Sequence, residues 1–256
     1  MTGSATNKSD APKTGGTVDD DEIERFSAIA EEWWNPEGDF RPLHAFNPVR
    51  VGFVRDRLAE HFGRDPLRPE PLRGLRLLDI GCGGGLLAEP MTRLGASVTA
   101  IDAAEKSIGV AKVHAKRVGL DIDYRVVPPE ALADLGETFD AVLNMEVVEH
   151  VADVDRFLSV SAALVKPGGC MVVATLNRTL KSLALAKIGA EYLFRWLPVG
   201  THDWKKFVKP SELARGLRPH GLHPTCVKGM EYKPLANRFR LGPDTGVNYL
   251  AFFTKN

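Results

Sequence analysis

The sequence predicts an α/β fold: an open, doubly wound sheet, mostly parallel, with a C-terminal antiparallel hairpin and a helical cap at the N-terminal side. Three observations predict it. Short apolar strands alternate with helix-patterned segments between residues 76 and 175, a glycine-rich turn follows the first strand, and two strand-like runs end the chain. Such alternation favours parallel strands with helices on both faces. The 256 residues carry 33 Lys+Arg against 33 Asp+Glu, and so neutral a balance argues against a large nucleic-acid footprint. Residues 1–18 are polar and read as a disordered tail. Residues 19–256 read as one domain, with a helical cap over 19–72 and an insert over 180–205.

Asp19–Asp21 lead into Ile23, Phe26, Ala30 and Trp33 at helical spacing, and Asn35-Pro36 ends that helix. Asn47-Pro48 reads as the start of a second helix, Asn47 as its cap and Pro48 in its first turn. Arg76–Ile80 is a short apolar strand with Asp79 at its end, and Gly81–Gly85 is a tight loop. Leu87, Met91 and Leu94 mark a helix face stopped by Gly95. Ser97–Ile101 is the second strand, ending at Asp102. Residues 104–118 carry Ile108, Ala111, Ala115 and Val118 on one side before Gly119. Ile122, Tyr124 and Val126 alternate with polar residues as a third strand, and Phe139–Met145 is the fourth. Residues 153–165 form a helix with Val154, Phe157, Leu158 and Leu164 inward. Lys166–Gly169 is a sharp turn into the fifth strand, Cys170–Thr175. Pro210–Leu217 is a helix, and Pro224–Tyr232 and Val247–Thr254 are the closing strands. Cys82, Cys170 and Cys226 form no C-x-x-C pair, which suits a reduced, cytoplasmic setting.

The stretch Leu77-Leu78-Asp79-Ile80-Gly81-Cys82-Gly83-Gly84-Gly85 carries the chemistry. Glycines let the chain turn tightly from strand to helix and let a ligand lie on the backbone, at the carboxyl edge where open sheets bind ligands. Asp102 follows Gly81 by 21 residues, at the end of the next strand, where a carboxylate can accept from a ribose diol. A dinucleotide fingerprint needs Gly or Ala at its sixth position. Counted from Gly81 that position is Leu86, and counted from Gly83 it is Ala88. Asp79 decides between the classes: a negative charge behind the loop opposes a pyrophosphate and suits the ammonium and sulfonium of S-adenosylmethionine. Asp79, Gly81, Gly83 and Asp102 are therefore cofactor-binding candidates.

These residues resemble class I methyltransferases, the Rossmann-like fold. With Trp33-Trp34, Pro42-Leu43-His44, Asn47-Pro48-Val49-Arg50, Glu146-Val147-Val148-Glu149-His150, Thr175-Leu176-Asn177-Arg178, Gly200-Thr201-His202-Asp203 and Leu241-Gly242-Pro243, the chain is similar to the ubiquinone biosynthesis O-methyltransferases from about residue 20 onward. The resemblance implies methylation of a hydroxyl on a polyprenyl catechol and on a demethylubiquinol, and membership of a biosynthetic complex. It implies that Arg50, Gly81, Asp102 and Met145 contact the cofactor. Arg50 can grip a carboxylate with a two-pronged hydrogen bond, and Met145 can pack on adenine; otherwise Arg50 is a surface helix residue and Met145 ordinary core. Val127-Pro128-Pro129-Glu130 departs from the family and stiffens the loop after the third strand.

A phenol is mostly protonated at neutral pH, with a pKa of about 10 in tyrosine, so methyl transfer to oxygen needs a base or a metal. Glu146, Glu149 and His150 are the candidates, and a helix would put all three on one face. They could ligate a divalent ion, magnesium or zinc, that lowers the phenol's pKa. Alternatively, His150 is the base and Glu149 orients it. His202 and Asp203 are a second candidate pair, and His44 and His114 read as structural. Residues 180–199 interleave Leu183, Leu185, Ile188, Tyr192, Phe194 and Trp196 with Lys181, Lys187 and Arg195. Such a segment is too short and charged to span a bilayer but suits an anionic membrane surface, which predicts a peripheral membrane protein. The competing classes are a methyltransferase for another aromatic or lipid hydroxyl, a nicotinamide oxidoreductase, and a binding scaffold without turnover.

Overall fold

The computed structural model describes residues 33–35, 37–38, 41–184, 203–233 and 238–256. The expected tail, the helix through Ile23 and Ala30, and residues 185–202 of the expected insert lie outside the described residues.

The described strands are β1 (Arg76–Ile80), β2 (Ser97–Asp102), β3 (Asp123–Val126), β4 (Phe139–Met145), β5 (Val165–Leu176), β6 (Leu222–Lys233), β7 (Arg238–Gly242) and β8 (Asn248–Lys255). They form one sheet in the order β3-β2-β1-β4-β5-β8-β6-β7. β1 to β5 pair in parallel, and β8 lies antiparallel between β5 and β6. The described helices of six residues or more are α1 (Arg41–His61), α2 (Ala88–Arg93), α3 (Glu105–Arg117), α4 (Pro129–Asp134), α5 (Val154–Ala163) and α6 (Pro210–Leu217).

Side chains alternate across a strand, and both faces here are apolar. Leu77, Ala100, Leu143 and Val172 join Phe53, Val54 and Leu58 of α1 and Met91 of α2 in one core. Leu78, Ile101, Val142 and Val173 join Phe157 and Leu158 of α5 and Leu213 and Leu217 of α6 in the other. This is the doubly wound arrangement that the alternating pattern predicts.

Several local expectations are corrected. α1 does not begin at Asn47; it runs from Arg41 through Pro48. The Asn47 amide donates to the Leu86 carbonyl at 2.7 Å rather than capping. Pro48 removes one helical donor, worth about 3 kcal/mol, but Phe53, Val54 and Leu58 are buried, at about 1.5–3 kcal/mol each. The third strand forms as expected, at the sheet edge, where Val126 is 44% exposed. Lys166–Gly169 does not precede β5 but interrupts it. The β4 register jumps from Phe139↔Val165 to Ala141↔Cys170, so those four residues bulge past Asp140, helped by the left-handed Gly168. The closing hairpin gains a third strand, β7, whose partner is β6.

Candidate active site

The loop after β1 is bent by Gly81, Gly83 and Gly85, with φ of +69°, +53° and +89°, a region costly for residues with a Cβ. The N–H groups of Gly81 and Cys82 both donate to the Ile101 carbonyl, at 2.8 and 3.0 Å, and fold the loop over the end of β2. Asp102 then closes it. One carboxylate oxygen accepts from the Gly83 N–H at 2.9 Å and the other from the Ala104 N–H at 2.8 Å. Burial still lifts the Asp102 carboxyl above its ordinary value, against the lowering by these backbone donors.

Asp79 shares the face of Leu77 and so points toward α1. It is 2% exposed, and its Oδ2 is buried without a hydrogen-bond partner. Burial, then the Asp102 charge, push its carboxyl up to about 7, against the pull of Arg50. Arg50 comes from α1 and is itself buried. Its Nη2 donates to Glu146 Oε1 at 2.6 Å, its guanidinium lies 4.2 Å from the Phe46 ring centre, and its Nε is buried without a partner. Unsatisfied buried donors and acceptors are costly. Here a bare acceptor and a bare donor sit on side chains close enough for the Arg50 charge to act on the Asp79 carboxyl. An amino acid's ammonium and carboxylate would satisfy one each, so these residues fit the methionine end of S-adenosylmethionine. Met145 closes β4 beside Ala174 and is 9% exposed.

Residues 146–150 are a bend and turn, not a helix, so the expected shared face of Glu146, Glu149 and His150 is not formed. Glu146 takes a left-handed φ of +57°, a strained state for a residue with a side chain, and turns to Arg50. Glu149 is 3% exposed and turns to the opposite side of the sheet, where its Oε2 accepts from the Thr175 hydroxyl at 2.7 Å. Its Oε1 is buried without a partner. Burial, then the Glu146 charge, push the Glu149 carboxyl up to about 7, while His150 and the Thr175 hydroxyl draw it down. His150 is half-buried, and its N–H donates to the Val147 carbonyl at 2.8 Å. In this structure the three side chains are not drawn together around one point, so a shared divalent ion stays a proposal for them. Among the described residues no group of three or more His, Cys, Asp and Glu is placed to hold an ion, because Glu146 and Glu149 diverge to Arg50 and Thr175.

His202 lies outside the described residues, and Asp203 caps the turn Trp204–Lys206 by accepting from the Lys205 N–H at 3.0 Å. Pro128-Pro129 opens α4, with Pro129 at its first turn. Thr175 against Glu149, and Trp33-Trp34 against the glycine loop, are contacts to which pattern alone gave no role. Thr175 had no motif beyond its place in Thr-Leu-Asn-Arg, whereas the tandem indoles before the cap helix were a visible signal.

A methyltransferase domain family matches residues 78–173, from β1 to β5. The ubiquinone biosynthesis O-methyltransferase of Sinorhizobium fredii is 58% identical over 234 residues, which cover 91% of this chain and 94% of that protein. The protein of that name from Mesorhizobium japonicum is 56% identical over 239 residues, 93% and 96% of the two chains. Among solved structures, the magnesium protoporphyrin IX methyltransferase of Synechocystis with bound S-adenosylhomocysteine superposes with a TM-score of 0.58 at 21% identity, over 90% of this chain and 99% of that one. The N-methyltransferase NodS of Bradyrhizobium japonicum gives 0.57 at 17% identity, over 92% and 97%. At such identities these structures speak to the fold.

Proposed function

The chain belongs to the ubiquinone biosynthesis O-methyltransferases, and on that premise we propose that it methylates a ring hydroxyl of a polyprenyl catechol and of a demethylubiquinol. When bound, S-adenosylmethionine supplies a methyl group activated on a sulfonium. Arg50 and Asp79 hold the carboxylate and ammonium of its amino acid end. Gly81 and Gly83 let it approach the backbone, Asp102 accepts from the ribose hydroxyls, and Met145 packs against the adenine. The observation that carries this reading is the pair of unsatisfied, oppositely charged atoms on Arg50 and Asp79 behind the loop. The same buried carboxylate disfavours a nicotinamide dinucleotide, whose pyrophosphate it would repel.

His150 takes the proton from the acceptor hydroxyl, and Glu149 stabilises the resulting imidazolium, since the two are close enough for the imidazole's charge to act on the carboxyl. Thr175 fixes the Glu149 carboxylate. A cavity of about 920 Å³ reaches Glu149 and Val148 between the turn after β4 and α6, with Leu158, Phe207 and Val208 as apolar walls. Its remaining walls are charged, with Asp155, Arg178, Lys205, Glu212 and Arg215 among them, so it gives room for a polar aromatic head. The deciding experiment incubates the protein with labelled S-adenosylmethionine and a short-chain catechol. Labelled methyl ether is expected. Heat on adding NAD, with none on adding S-adenosylhomocysteine, would reject the reading.

The same reading includes contact with an anionic membrane surface through the segment over 180–205. Among the described residues no helix is long and apolar enough to cross a membrane. Leu180 is 79% exposed at one end of that segment, and Lys205 is exposed at the other, an apolar and a cationic group fit for an interface. Phosphatidylglycerol vesicles should pellet the protein at low salt and release it at high salt; an unbound protein at low salt would remove the membrane from the account. Assembly into a biosynthetic complex belongs to this family reading and is checked by co-purification.

A further inference from the structure

We propose that Trp33 and Trp34 are cofactor-positioning residues. In this arrangement Trp33 forms a wall of the pocket over the glycine loop, and Trp34 pins it there. The inference rests on the placement of the cofactor argued above and names residues that the placement did not use.

Trp33 lies on the loop itself. A Cβ built on Gly83 would stand 2.5, 2.7 and 2.9 Å from Cη2, Cζ2 and Cζ3 of the Trp33 ring, and one on Gly84 would stand 2.6 Å from the Trp33 Cβ. Such near-equal distances mean that the face of the ring, not its edge, covers Gly83. Gly83 is also the residue whose N–H closes the loop onto Asp102. The indole therefore bears on the turn that shapes the nucleoside site, and glycine is required there for the indole as well as for the ligand.

Trp34 is fastened to the glycine loop and to α3. Its indole N–H donates to the Gly84 carbonyl at 2.7 Å, just before α2. Its ring stacks on His114 of α3, centroids 3.5 Å apart and 8° from parallel. His114 Nδ1 in turn donates at 2.5 Å to Glu89 of α2, a carboxylate 3% exposed. From α1, a ring nitrogen of His44 donates to the Trp33 carbonyl at 2.6 Å. Both indoles nevertheless stay only half-buried. Core burial alone does not account for a pair so heavily braced and yet left with open surface beside a ligand loop. A wall held in register for a ligand does.

The test labels the protein with 5-fluorotryptophan and titrates it with S-adenosylhomocysteine. Four tryptophans give four fluorine resonances, and the one missing from W33F is Trp33. That resonance should shift on titration and saturate at the dissociation constant measured by calorimetry. W33A should bind about tenfold more weakly and W33F within about threefold of wild type, since a flat ring restores most of the wall. W34F keeps the stack on His114 but loses one hydrogen bond, an effect of about fivefold on the same constant. A Trp33 resonance unmoved at saturation overturns the proposal, as does W33A binding like wild type. If W33A fails to fold, the fluorine shift and W33F decide. No heat with the wild-type protein would overturn the cofactor assignment itself, and the wall with it.

Discussion

The carboxyl edge of the sheet holds two acidic devices built on different principles. At the ends of β1 and β2, Asp102 is gripped by two backbone amides, from Gly83 and Ala104. After β4, Glu149 has one hydroxyl partner, Thr175, and a buried oxygen with none. Burial raises both carboxyls, but the first is locked by main chain and the second is held by a side chain. The contrast teaches that the loop beside Asp102 is shaped by backbone, hence by glycines, while the acid after β4 depends on a side chain.

The sharpest break in that comparison is expected at His150. If proton removal belongs to the turn after β4, His150→Ala should lower kcat by about 10²–10⁴-fold. Affinity for S-adenosylhomocysteine should move by less than about threefold, because the β1–β2 device is untouched. Normal turnover in a steady-state assay would take His150 out of the chemistry. Asp102→Ala should do the converse. It strands two backbone donors and removes the acceptor for the sugar, and with charged hydrogen bonds at about 1.5–3 kcal/mol each the expected loss of affinity by calorimetry is about 100-fold. Unchanged affinity would mean that Asp102 only staples the loop.

Arg50 joins the two regions, since it is borne on α1, tied to Glu146 after β4 and felt by Asp79 on β1. Arg50→Lys keeps the charge but loses the planar fork. KM for the methyl donor should rise about tenfold. A KM equal to wild type would show that the guanidinium serves the Glu146 ion pair alone.

The two regions were also unequally legible. The β1–β2 half could be read because φ > 0 demands glycine, and Gly81, Gly83 and Gly85 stand where the chain must turn. The two carboxylates end strands whose apolar runs are unmistakable. The half after β4 was less legible, because Glu146, Glu149 and His150 are spaced alike for a helix and for this turn. Only the left-handed Glu146 reverses them, and nothing in the side chain announces that conformation. Asn47-Pro48 carries the local signature of a helix start, and the tertiary bond from Asn47 to Leu86 overrides it. Strand β7, Arg-Phe-Arg-Leu-Gly, is an edge strand with two Arg among its five residues, so its pattern resembles a surface loop until β6 pairs with it. The charge effect of Arg50 on Asp79 crosses from cap helix to strand, and no local pattern encodes it.

The last effect is on stability rather than turnover or affinity, and it separates poise from packing. The carboxyl of Glu149 ordinarily ionises near 4.5 but is pushed up to about 7 in the fold. Between those two values the unfolded chain gives up this proton and the folded chain keeps it. The stability linked to this group is therefore complete below about pH 4.5 and lost as pH rises through about 7. Glu149→Gln cannot ionise, yet its carbonyl can still accept from Thr175. At pH 8 the variant should be more stable than wild type by about 3 kcal/mol, or roughly 8 °C in Tm, and at pH 5 the gain should shrink to below about 1 kcal/mol. Its turnover should fall at both pH values, because the negative charge that steadies the His150 imidazolium is gone. Calorimetric melts at the two pH values check this. An equal loss of Tm at both would make Glu149 a packed structural acceptor, and the β4 turn would then resemble the Asp102 lock instead of differing from it.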